Sequence, residues 1–510
     1  MKRNAFLRAA VAAGLLLAAG APAFAQAFDK YVALGDSITA SFQGLCLVSR
    51  HQLNSYSKLI SEQLGISDFQ QPLFGEGVLS ANPATNKCLG FQVIGSSIGV
   101  GPVSDQLAPT NLALPRPYDN LGIPGANTGD LVQLTSANPA GNTANRFAFA
   151  ILRNNAPGSP LNGTSAVDQA NALQPDLVTV WIGNNDVLGA ALSGVALNGV
   201  TLTPVPVFEQ NFTAVVNGLA ASGRTLVLLN IPDVAAIPFA TTIPPVVLNP
   251  ATGQPVILDG HTIPLLGPGN TAHPCPPGFP ACPVPEGTLV TLPAQALLQQ
   301  GFGIPCAVAP LPNCNKPLPD GQFIPPATLA PGVLLYPNEV ALIQSRTNEL
   351  NGEIASIGGG AGALLVDVHA LFDQVKAEGY HIGGITLTPT FGTGGLFSAD
   401  GFHPNNVGQA LVADYVIQAL NESEDSDIAR PNIAEALFTP DLPPGAGSAA
   451  TAPAAEDLSL WTTRELYELF PPVAAGVQVL EPQMPIRRPE PGADSARTRT
   501  VERPAGDRRQ

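Results

Sequence analysis

The chain has 510 residues, 45% of them hydrophobic and 12% charged, enough for one large domain or for two or three ordinary ones. The formal net charge of −16 argues against nucleic acid or an anionic membrane surface as partner, since either needs a basic face. Six cysteines, an even number, fit an oxidising compartment.

The first 25 residues have the layout of an export signal. Lys2, Arg3 and Arg8 give a positive start, residues 9–20 form a short apolar run, and Ala23-Phe24-Ala25 is a small-x-small cleavage site. The run is too short to span a bilayer comfortably, and no cysteine follows the cleavage site to carry a lipid. The mature chain then starts near Gln26, has no transmembrane segment, and is secreted or periplasmic. Without those three residues, 20 of the 23 basic residues face 39 acidic ones, a net charge near −19.

Tyr31 to Leu34 are apolar enough for a buried strand, and Gly35-Asp36-Ser37 breaks that strand sharply. A serine on a tight strand-to-helix turn has its hydroxyl pushed out of the sheet edge, which suits a nucleophile. An amphipathic helix is expected over 56–64. Residues 65–115 are irregular and rich in Gly, Pro, Ser and Asn. A strand over 118–123 runs into Pro124-Gly125-Ala126-Asn127. A helix follows over 146–153, then a strongly apolar strand over 175–182 that ends in Gly183-Asn184-Asn185-Asp186. The pattern continues with a helix over 207–221, a strand over 224–231, a long helix over 336–357, a strand over 363–368, a helix over 370–378 and a closing helix over 405–420. Apolar strands alternating with helices predict an α/β fold: a parallel sheet of about five strands covered on both faces. Its strand-to-helix loops lie along one carboxyl edge, where ligands bind. That edge collects Ser37, Gly125 and Asn185.

Two regions depart from this alternation. Between 232 and 331 lie 23 of the 52 prolines and four of the six cysteines. Such proline density forbids regular helix or central strand, so residues 232–333 form an insertion after the fourth strand. Because it departs from the carboxyl edge, it should lie beside Ser37, as a wall or lid for a lipid or as a disulfide-tied decoration. Proximity pairs Cys275 with Cys282 and Cys306 with Cys314, leaving Cys46 for Cys88; fifteen connectivities are possible. No Cys-x-x-Cys pair suggests a metal site. The α/β part is expected to run over 26–424. Residues 425–510 form a low-complexity tail, largely disordered, with one helical candidate over 462–470 and seven arginines in the last 24 residues. No run of alternating strands long enough for an outer-membrane barrel follows.

A serine nucleophile needs a base, an orienter for the base and donors for an oxyanion. Of six histidines, His403 lies in Asp400-Gly401-Phe402-His403-Pro404, just before the closing helix. Asp400 can accept from Nδ1–H, leaving Nε2 to face Ser37. Asp367 and His369, at the end of the fifth strand, are a rival pair, because residues two apart share a strand face. For the oxyanion, the Ser37 and Gly125 backbone N–H groups and the Asn185 amide are the candidates; glycine lets a backbone N–H come close.

Gly35-Asp36-Ser37-Ile38, residues 120–125, Gly183-Asn184-Asn185-Asp186 and Asp400-x-x-His403 resemble, in order, the four blocks of the GDSL, or SGNH, hydrolase family. The resemblance covers roughly residues 30–420 outside the inserts, with Ile38 in place of the family's leucine. It implies a three-layer α/β/α fold like that of flavodoxin. It also implies that Ser37, Gly125, Asn185 and His403 match the four eponymous positions, that Asp400 completes a triad, and that no metal or organic cofactor is required. Asp36 and Asp186 are read as turn-stabilising. The implied activity is carboxylic ester hydrolysis through an acyl-enzyme, on a small-molecule or lipid ester. The alternatives are an O-acetyl esterase acting on carbohydrate or cell-wall polymers, and a non-catalytic extracellular binding protein on the same scaffold.

Overall fold

Five short segments that are apolar on both faces can satisfy their backbones only by pairing with one another in a buried sheet. They do so as β1 (Tyr31–Gly35), β2 (Asn120–Gly122), β3 (Leu177–Trp181), β4 (Thr225–Leu229) and β5 (Leu364–Val366). The computed structural model describes residues 28–437 apart from 45, 75–77, 81–89, 95–96, 102–108, 137–142, 155–157, 383, 392–394 and 399, together with Gln478–Val479 and Arg499–Thr500. The export signal, the pairing of Cys46 with Cys88, the 462–470 helical candidate and nearly all of the tail lie outside the described residues. The strands run in the order β5-β4-β3-β1-β2, every neighbouring pair parallel, with Leu34 opposite both Leu121 and Val180. This is the flavodoxin-like order, whose chain path reverses between β1 and β3 and opens a crevice at their carboxyl ends.

Alternation along the strands divides the core. Val32, Leu34, Val178, Val180, Leu226 and Leu228 face one layer; Tyr31, Ala33, Leu177, Trp181, Val227 and Leu229 face the other. The first face is covered by α2 (Thr143–Leu152), α3 (Ala166–Ala172), α4 (Asn185–Ser193), α5 (Val205–Leu219) and α6 (Pro337–Gly360). The second is covered by α1 (Tyr56–Gln63) and α8 (Asn406–Glu424). The helix α7 (Val368–Glu378) follows β5. Side-chain caps fix several starts: Ser55 accepts from Lys58 N, Ser165 and Asp168 form a capping box, and Asn405 accepts from Val407 N and Gly408 N.

Two helices depart from the expected pattern. α4 is buried at every position, so it has no polar stripe to betray a period, and Gly189 interrupts it. α3 is only seven residues long and carries few large apolar groups. The fifth strand stops at Val366: Asp367 caps α7 through Ala370 N, and His369 is helical, so the two do not share a strand face.

Residues between β4 and α6 carry a core of their own, with Val247, Leu265, Val284, Val290, Leu297, Leu318, Leu334 and Tyr336 packed together. Proline limits regular structure there to two- and three-residue ladders and two short helices, Pro238–Thr241 and Ala294–Gln299. Disulfides join Cys275 to Cys282 and Cys306 to Cys314. Hydrogen bonds tie this unit to the frame, from Phe239 N to Gly401 O and from Gly332 N to Ser193 O. Beyond α8, Ile428 and Ile433 are buried and Arg430 pairs with Asp414, so packing continues past residue 424. Among the described residues no helix is long and apolar enough to cross a membrane.

Candidate active site

β1 ends at Gly35, a position that admits only glycine: a Cβ would lie 2.3 Å from the carbonyl oxygen of Trp181 on β3. The backbone then turns tightly, with Phe42 N donating to Ser37 O and Ala40 N to Asp36 O. Asp36 Oδ1 accepts from Ile38 N at 3.0 Å, an Asx-type bond that braces the turn around Ser37. Ser37 is nearly buried and lines a cleft at the carboxyl edge of the sheet.

His403 lines the same cleft. Its Nδ1 lies 2.8 Å from Asp400 Oδ2, while Asp400 Oδ1 accepts from His403 N and Phe402 N at 2.9 and 3.1 Å. Burial alone would raise the Asp400 pKa, but the charge and N–H of His403 and the two backbone donors outweigh it and hold the carboxyl below its usual value. An ionised carboxylate can only accept, so Nδ1 carries the proton and Nε2 is the ring nitrogen available for a base's work. The rival pair is employed elsewhere. His369 Nδ1 meets Ile231 O at 2.8 Å, and Asp367 accepts from Asn230 Nδ2 at 2.7 Å.

The first turn of α4 gathers the remaining candidates. Asn184 Nδ2 donates to Asp36 Oδ2 at 2.9 Å, and Asn185 Nδ2 donates to Ala126 O at 2.7 Å. Asp186 Oδ2 accepts from both N and Oγ1 of Thr128, at 3.0 and 2.8 Å. Three successive residues thus bind the turn after β1 and the loop after β2 to the start of one helix. Asn185 lines the cleft with Ser37 and His403. Gly125, in the left-handed region at φ 79°, sits one residue before the carbonyl that Asn185 holds, and is not among the lining residues. Asp36 and Asp186 therefore do more than stabilise their own turns. Their partners lie on other strands' loops, which local sequence does not reveal.

The cleft encloses about 710 Å³, its open mouth included. Its walls are largely apolar: Ile38, Leu188, Val234, Ile237, Phe372, Pro389, Phe397 and Phe402, with Asp233, Asp373 and Lys376 as further charged groups. Pro232, Asp233, Val234, Ala236 and Ile237, at the start of the Pro-rich unit, line it directly. Sequence reading did not select these wall residues, nor His51. That imidazole is buried, and burial and the Arg50 charge push it down to about 3 against the opposing charge of Asp400. Among the described residues no group of three or more His, Cys, Asp or Glu side chains could hold a metal ion.

A parallel α/β sheet that brings a serine and an aspartate-paired histidine to one cleft at its switch point belongs to the class of α/β hydrolytic enzymes. The family model described as GDSL-like Lipase/Acylhydrolase matches residues 31–273, which likens this part of the chain to hydrolases of ester bonds. Among solved structures, the lipase/acylhydrolase from Enterococcus faecalis aligns at 12% identity over 79% of this chain and 99% of that one, with a TM-score of 0.29. No curated protein matches the chain.

Proposed function

We propose that the protein is an exported serine esterase or lipase that hydrolyses carboxylic esters of small or lipid-derived alcohols and acids through an acyl-enzyme. The observation that carries this reading is that Ser37 and His403 line one cleft while His403 is held by Asp400 at 2.8 Å. In the proposed cycle Ser37 Oγ attacks the ester carbonyl as His403 Nε2 takes its proton. The negative oxygen is received by the Ser37 and Gly125 N–H groups and by the second N–H of Asn185, the first being held by Ala126 O. His403 then gives the proton to the leaving alcohol, and water repeats the sequence on the acyl-enzyme.

The largely apolar walls favour an acyl chain or a hydrophobic alcohol, which bury their surface against such a lining. Two disulfides fit an oxidising, extracellular setting. The test is hydrolysis of p-nitrophenyl esters over a range of acyl lengths by the mature chain and by Ser37→Ala. Turnover that is lost in the variant, with a preference for longer acyl chains, is the expected result. Activity confined to acetyl esters would favour the O-acetyl esterase, and failure on every ester the binding protein.

A further inference from the structure

Asp36 precedes the nucleophile, is wholly buried, and has no part in the proton transfers above. One of its oxygens accepts from Ile38 N, across the Ser37 turn; the other accepts from Asn184 Nδ2, at the start of α4. The next residue of α4 is Asn185. A single carboxylate therefore spans the two elements that must supply the nucleophile and an oxyanion donor to the same carbonyl group. We propose that Asp36 is a positioning residue whose ionised carboxylate keeps the Ser37 turn in register with Asn185, giving the site a second group, besides His403, whose protonation switches off the reaction. This inference rests on the serine-hydrolase reading of the cleft.

The link works in one protonation state only. An ionised carboxylate accepts at both oxygens, as both partners require. A proton taken from solvent onto Oδ2 turns that atom into a donor facing the Asn184 N–H, and the amide must rotate to offer Oδ1, which has no hydrogen-bond partner among the described residues. That rotation disturbs the residue next to Asn185. Charged and titratable groups reach Asp36 from three sides: His403 before α8, Asp186 on α4, and Tyr56 on α1. Burial pushes the Asp36 carboxyl up to about 6, and Asp186 adds to this. The Ile38 N–H, the Asn184 amide and the His403 charge oppose it. The link therefore titrates within the range in which an esterase works.

The test is the pH dependence of kcat and KM between about pH 4 and pH 8 for the wild type, Asp36→Asn and Asn184→Ala, with thermal melts to establish folding. The wild-type kcat/KM should fall toward acid with a slope approaching two protons, and that of Asp36→Asn with a slope of one. Both variants should lose about tenfold or more in kcat at unchanged KM, less than the ~10²–10³ of a deleted oxyanion donor. A one-proton slope in the wild type, or wild-type kcat in either variant, overturns the proposal. Asn184→Ala leaves the carboxylate in place, so it decides the matter if Asp36→Asn does not fold. A wild type that turns over no ester removes the hydrolase reading itself. An active wild type with indifferent variants removes this inference alone.

Discussion

Asn185 offers two amide hydrogens, and Ala126 O uses one of them. The other is available to a developing oxyanion, so truncation removes a donor and also frees the loop that carries Gly125. Asn185→Ala should lower kcat by about 10²–10³ with a small change in KM, measured on the best p-nitrophenyl ester. Asp36 leads to a prediction of the opposite sign for stability. Its folded pKa of about 6 lies above the ordinary carboxyl value, so the folded chain binds the proton more tightly than the unfolded chain does. The associated stability is fully present below about pH 4 and is lost as pH rises through about 6, a difference of roughly 3 kcal/mol. Asp36→Asn should therefore melt higher than the wild type at pH 8 while turning over more slowly, and the gap should narrow toward pH 4 in differential scanning fluorimetry. Equal melting points at pH 8 would contradict this. At this scale the Ser37, Asp400 and His403 positions are readable from local sequence, because a tight turn and a three-residue spacing are local. Asp36–Asn184 and Asp186–Thr128 are not, because each joins residues far apart in the chain.

The elements divide by how they advertise themselves. β3 and β4 are nearly unbroken apolar runs bounded by turn residues, and α8 is long and capped by Asn405. α4 carries Asn185 yet is not legible as a helix, since a helix buried on all sides lacks the polar face that periodicity detects. The Pro-rich unit is legible as an interruption of the fold but not as a structure with its own core. Its disulfides close loops with sequence separations of 7 and 8, each worth about 2.5 kcal/mol in the chain-entropy account. Reduction should thus loosen this unit before the sheet. Limited proteolysis with and without dithiothreitol should find new cuts confined to residues 232–333, with the sheet intact by far-UV circular dichroism. Simultaneous cutting within β3 or β4 would mean that the two cores melt together.

At the largest scale, the first strand-turn-helix unit and the closing helix α8 meet at the turn after β1. Gln409 on α8 donates to Ile38 O across 371 residues, Tyr56 N donates to Gln409 Oε1, and Gln43 Nε2 donates to Asn406 Oδ1. The four blocks can be read in order along the sequence, but their convergence comes from sheet topology, which no block encodes alone. This closure has a consequence in time. The chain is made from its amino end, so the strand and turn bearing Ser37 emerge early, and the histidine that would activate it emerges only after the whole sheet and α1 to α7 have been made. The partly made polypeptide holds a serine without its proposed base, and α8, the last of these helices in chain order, also latches the turn on which that serine sits. With the proposed roles, ester cleavage begins only once the segment bearing His403 has packed against the Ser37 turn, so a chain interrupted before that segment carries its serine idle.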